Sequence, residues 1–173
     1  IICYDSKTST LLKSYTIRSG LSTNLFDFEW KNETGEIVGK ENSYVAILPG
    51  NYTLQATNKA TGCNSALIPV KINASEPAIV SYVTSEDFAD NPIITISTEG
   101  VGGDYEYQLD DEPFQNNPVY YNVTSGTHTI TVRDKNGCGI TTVEAIIVKY
   151  PKFFTPNNDG YNDTWNILDT KEF

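Results

Sequence analysis

The 173-residue chain has no methionine, one histidine, three cysteines and two tryptophans. Each scarcity closes off a class of chemistry. With His128 the single imidazole, a Ser-His-Asp relay, a Cys-His pair or a two-histidine metal site has at most one histidine to draw on. Twelve Lys and Arg stand against 22 Asp and Glu, for a net charge of −10. That leaves no basic stripe to displace counterions from phosphate, so nucleic acid is not an expected partner. Acidity of this size mainly keeps a protein soluble. No apolar run is long enough to cross a bilayer as a helix. Without a methionine or a leader pattern at Ile1-Ile2, the chain is expected to be the interior of a longer polypeptide.

What the chain does hold is Thr, Tyr, Val, Ile, Asn and Gly, the composition of strands joined by turns. Alternation is plain at Phe26, Phe28 and Trp30, with Asp27 and Glu29 on the other side. Leu11 to Ile17 precedes this strand, the turn Glu33-Thr34-Gly35 follows it, and Tyr44 to Ile47 comes next. Leu48-Pro49-Gly50 leads into a strand with Tyr52, Leu54 and Ala56 on one face, and Leu67 to Ile72 closes the set. No helical period occurs anywhere. The expected fold is all-β, of Greek-key sandwich type and immunoglobulin-like.

The order then repeats. GNYTLQATNKATGC (Gly50 to Cys63) answers to GTHTITVRDKNGC (Gly126 to Cys138), and Phe26 to Trp30 answers to Tyr105 to Leu109. This makes two copies of about 75 residues, divided near the polar, proline-marked stretch Asn73 to Pro77. The expected domains are residues 1–75 and 76–149, two tandem sandwich modules, with something different from 150 to 173. Strands of the second copy are predicted at Ile79 to Thr84, Ile93 to Ser97, Tyr105 to Leu109, Val119 to Val123, Thr127 to Arg133 and Ile140 to Val148.

Cys3, at the start of the first strand, and Cys63, before the last one, fall at one pole of the first module, and a disulfide between them is expected. Closing such a loop contributes on the order of 4 kcal/mol in the chain-entropy model. Cys138 matches Cys63 in the repeat, but the stretch equivalent to Cys3, around Ala78 to Val80, holds no cysteine, so Cys138 is expected to be unpaired. A disulfide in so small a domain implies export; three reduced thiols in a cytosolic domain are the alternative.

The segment from 150 on breaks the repeat. Tyr150, Phe153 and Phe154 are braced by Pro151 and Pro156, run into the turn Asn157-Asn158-Asp159-Gly160, and leave through Tyr161, Asn162, Asp163 and Trp165. The prolines fix φ and remove two donors, and Gly160 is the position suited to φ > 0. This extended-turn-extended unit resembles the opening of the gliding-motility-associated C-terminal domain, the type B sorting domain of the Bacteroidota type IX secretion pathway. That family shows PNGDG where this chain has Pro156-Asn157-Asn158-Asp159-Gly160, and its domain continues for several strands beyond the point where this chain ends. The two modules resemble, more loosely, the repeats of gliding adhesins of the SprB type. The resemblance implies export by the type IX translocon, retention on the outer membrane at the cell surface, and dependence on a β-barrel partner of the PorP/SprF family. It names no surface ligand. A different class also fits, the accessory and sorting region of a secreted polysaccharide-degrading enzyme whose catalytic domain lies upstream.

No catalytic residues are expected within the chain. His128 takes the place of Tyr52, where sandwich domains put a corner tyrosine, and a structural tie is its expected role. Asp110, Asp111 and Glu112 are neighbours that point apart, so they read as a solvated turn and not as a pair flanking one bond. Gly100-Val101-Gly102-Gly103 is not followed by a helix and reads as a turn into Tyr105. Asn157, Asp159, Asn162 and Asp163 could offer oxygens to Ca²⁺. An EF-hand loop opening at Thr155 would put Asn166 at its bidentate position, so a hydrogen-bonded Asx turn is expected, with Asp159 and Asp163 the remaining Ca²⁺ candidates and no other cofactor. The sequons at Asn32, Asn51, Asn73, Asn122 and Asn162 are assigned no glycan. Phe114, Tyr120 and Tyr121 could form a sugar-binding platform or serve packing.

Overall fold

A computed structural model describes residues 1–87, 89–148, 155–159 and 163–164. All regular structure among them is strand. In chain order these are β1 (Ile2–Asp5), β2 (Thr10–Lys13), β3 (Tyr15–Arg18), β4 (Phe26–Lys31), β5 (Ile37–Gly39), β6 (Ser43–Ala46), β7 (Gly50–Asn58), β8 (Ile68–Ile72), β9 (Ala74–Ser75), β10 (Ile79–Thr84), β11 (Ile93–Glu99), β12 (Tyr105–Leu109), β13 (Val119–Tyr121), β14 (Gly126–Asp134) and β15 (Ile140–Ile147).

Two compact units result. The first holds Ile1–Pro77 together with residues 100–104 and 135–138, which are the loops after β11 and after β14. Its largest sheet runs β5-β4-β7-β8, its second pairs β3 with β6, and a third runs β2-β1-β9. Phe28 and Trp30 of β4, Tyr52, Leu54 and Ala56 of β7, Ile17 of β3 and Ala46 of β6 close one core. The alternation read in the sequence is therefore the pleat itself, with one face of β4 and β7 turned inward. Trp30, only 1% exposed, also gives its indole N–H to the Glu41 carbonyl at 2.9 Å.

The second unit holds 78–99, 105–134 and the described residues from 139 on. Here β10-β11-β13 faces β12-β14-β15 across a core of Ile94, Ile96, Leu109, Tyr120, Ile130, Val132, Ala145 and Ile147. In both units the long central strand, β7 or β14, lies between β4 or β12 on one side and the strand that follows it on the other, while the strand just before it, β6 or β13, pairs in a different sheet. This is the Greek-key order of an immunoglobulin-like sandwich.

The repeat is equally plain in register. β4 pairs with β7 from Phe26 opposite Asn58 to Trp30 opposite Leu54, and β12 pairs with β14 from Tyr105 opposite Asp134 to Leu109 opposite Ile130. Two departures from the sequence reading have physical causes. The stretch Leu11 to Ile17 is two strands, because β2 bonds to β1 while β3 bonds to β6. The short β1, β5 and β9 carry too few residues to show a period, and β9 exists through its parallel pairing with β1.

Candidate functional site

The main sorting residues proposed from sequence fall largely outside the described residues. These are Tyr150, Pro151, Phe153, Phe154, Gly160, Tyr161, Asn162 and Trp165. The described part is the turn. Asn157 accepts a bond from the Asp159 N–H at 3.4 Å through its side-chain oxygen, and its own amide group reaches Asp159 Oδ2 at 2.7 Å. Asp163 accepts from the Asn158 N–H, and Asn158 takes the left-handed φ of 61°. Pro156 is exposed beside it. This is the hydrogen-bonded Asx turn. Asp159 and Asp163 spend carboxylate oxygens on it.

The cysteine pairing differs from expectation. Cys3 bonds to Cys138, with Cα atoms 5.1 Å apart, and Cys63 is exposed and free. The reason is tertiary. Cys3 lies opposite Ser75 in the β1–β9 pairing, and Ser75 Oγ accepts a 3.1 Å bond from the side-chain amide of Asn136. The 135–138 loop, folded into the first unit, thus brings Cys138 to Cys3 and leaves Cys63 exposed in the loop between β7 and β8.

Sequence reasoning also missed Glu76, which is buried in the same unit. Its carboxylate accepts from the Ser6 N–H at 2.9 Å and the Val101 N–H at 2.7 Å. The Ser6 amide, against the opposing effect of burial and aided by the Val101 amide, holds this carboxyl below its ordinary pKa. Gly102, next to Val101, takes φ +67°, and a Cβ there would overlap the Ala74 carbonyl oxygen. The Gly100 to Gly103 stretch is indeed a turn, and its glycine is needed for close backbone approach. No local signal marks Glu76, since its partners are far away in sequence.

The corner positions compare directly. Tyr52 donates its hydroxyl to the Leu48 carbonyl at 2.9 Å, and His128 places Nε2 2.9 Å from the carbonyl of Thr124, the same four residues back. His128 is therefore the structural tie expected of it. It goes further, because Nδ1 lies 2.7 Å from Asp110 Oδ2. Asp110 opens the Asp110–Glu112 turn at φ 50° and also accepts from the Thr129 N–H at 2.8 Å. Burial pulls the His128 pKa down, but the Asp110 hydrogen bond, the Thr124 carbonyl and the Asp110 charge outweigh it and leave the value raised. Burial likewise opposes the Asp110 shift, which His128 and the Thr129 amide turn downward.

The three candidate platform aromatics separate. Tyr120 is in the core, Phe114 lies under the Arg133 guanidinium at 3.9 Å, and Tyr121 is exposed. Among the sequons, Asn32 is occupied within its own turn, accepting from the Thr34 and Glu36 amides.

No protein-family model matches the chain, and no curated protein matches it. Among solved structures it is similar to the three N-terminal domains of the bacteriophage RB49 highly immunogenic outer capsid protein (Hoc), with a TM-score of 0.43 and 9% identity. That alignment covers 86% of this chain and 56% of the other, so the chain spans little more than half of the structure it matches.

Proposed function

We propose that this chain is a stalk and sorting region of a large cell-surface adhesin. Residues 1–75 and 76–149 act as its stalk modules, and 150–173 open a sorting domain read by the type IX secretion translocon. The protein crosses the outer membrane, stays attached to the cell surface, and depends there on a PorP/SprF-family β-barrel. It performs no catalysis of its own. The observation that carries the exported half of this reading is the Cys3–Cys138 disulfide, because such bonds persist in oxidising compartments and are rare in the reducing cytosol. The sorting half is supported by the Pro156 to Gly160 motif and the aromatic residues around it, too apolar to remain wet in so short a segment.

The test is surface display of the full-length protein in its own cell, followed by external protease. Replacing Phe154 and Trp165 together by Ala should leave the two sandwiches folded and trap the protein inside. Normal display of the double variant would refute the sorting role.

A further inference from the structure

A stretched polypeptide transmits tension along its covalent bonds, so connectivity sets the route that tension takes. The Cys3–Cys138 bond joins residues 135 apart in sequence and fixes their Cα atoms 5.1 Å from one another. The segment from Tyr4 to Gly137 begins and ends at that bridge. While the bond holds, pulling on the two ends of the chain cannot draw the ends of this segment apart. A Cys3–Cys63 bond would have had a different consequence, leaving residues 64–137 and most of the second core, from Ile94 to Val132, in line with the load.

Little of the described structure remains in that line. On one side of the bridge it is Ile1 and Ile2, and on the other Gly139 followed by β15. β15 is paired with β14 along its whole length, from Ile140 opposite Arg133 to Ile147 opposite Gly126. A paired strand already rises about 3.4 Å per residue, against about 3.6 Å at full extension. Pulling on the two ends of β15 therefore lengthens it little and does not require its separation from β14, which lies outside the loaded path. The bridge is also protected. Cys3 is 3% exposed and Cys138 8%, which shields both sulfurs from reductants. Asn136, two residues before Cys138, gives its side-chain amide to Ser75 of β9, the residue opposite Cys3, so a hydrogen bond ties the same two segments beside the covalent one.

We infer that the Cys3–Cys138 bond is a mechanical bypass, by which the chain carries tension without unfolding either sandwich. Tension enters through Ile1 and Ile2, crosses from sulfur to sulfur, and leaves along β15, while residues 4–137 carry none. That the chain is under tension at all rests on the stalk reading above; the bypass rests only on where the bond lies. The device is redox-dependent, because breaking the bond returns the segment between the two cysteines, and with it both cores, to the loaded path.

The test holds the purified full chain by its two ends in a force spectrometer, with a donor dye on the N-terminal tether and an acceptor on Cys63, the exposed free thiol. The reference is the Cys3→Ser/Cys138→Ser double variant. Wild type that is labelled first and then reduced with a phosphine, itself oxidised as the bond becomes two thiols, gives the same comparison without relying on the folding of the variant. At a force that opens the reference, energy transfer in the oxidised chain should persist. Its length should also stay shorter by about 450 Å, the extended span of 135 residues. Loss of transfer at the same force in both chains would overturn the inference, because tension would then be reaching the first unit. A difference of only about 200 Å, that of a loop closed between Cys3 and Cys63, would overturn it as well. Neither result bears on the display test of the sorting segment, so the bypass and the sorting role fail separately.

Discussion

His128 and Asp110 form a close pair, with Nδ1 of the ring 2.7 Å from Oδ2 of the carboxylate, while Nε2 faces the Thr124 carbonyl at 2.9 Å. Both neighbours can only accept, so both contacts are hydrogen bonds only when the ring is doubly protonated. A histidine pKa raised above its ordinary 6.5 stabilises the fold fully below that value and loses the contribution as pH climbs through the raised one. A carboxyl lowered from 3.8 stabilises above that value and loses it as pH falls through the lowered one. The pair therefore contributes fully between pH 3.8 and 6.5. The Asp110 side chain is 45% exposed, so solvent screens the pair and the effect is modest.

Asp110→Asn keeps the left-handed backbone that asparagine tolerates and removes the charge. The melting temperature of the wild type should exceed that of the variant throughout this window, and the gap should narrow on the alkaline side. The His128 ring protons should titrate above 6.5 in the wild type. A gap that does not vary with pH would sink the assignment.

Closing 135 residues with one bond is worth about 5 kcal/mol in the chain-entropy model. Cys138→Ser should lower the denaturation midpoint by an amount of that order, and reductant should do the same to the wild type. Cys63→Ser, at an exposed thiol, should change stability by less than about 0.5 kcal/mol. Peptide mapping without reductant should recover Cys3 joined to Cys138. Recovery of Cys3 joined to Cys63 would reverse the result.

Gly102 and Gly62 share a left-handed backbone, at φ +67° and +72°, but only Gly102 faces the backbone of another segment. Alanine at Gly62 should cost about 1 kcal/mol, the strain of that conformation alone. At Gly102 the added methyl also meets the Ala74 carbonyl, so a further 1 to 3 kcal/mol of overpacking is expected, on the order seen in tight cores. Urea titration of the two variants measures the difference directly. Equal losses would mean that the Ala74 contact is not tight.

Much of the fold was legible because pleating writes itself into the chain at a period of two. Phe28, Trp30, Tyr52, Leu54 and Ala56 could be assigned inward from alternation alone, and the strands β10 and β12 begin and end where the sequence places them. The duplication was equally visible, since Gly50 to Cys63 and Gly126 to Cys138 share their turn residues. The structural role of His128 followed from that alignment, its place being that of a corner tyrosine.

By itself, then, the sequence determined the all-β class, the two copies and the corner positions, all of which depend on residues close together along the chain. Only the tertiary structure decided which of two near-identical turns supplies the partner of Cys3, and that Glu76 would bind amides from two remote loops. The physical reason is common to both. Each depends on atoms brought together from segments tens of residues apart, where no periodicity or turn signal connects one to the other.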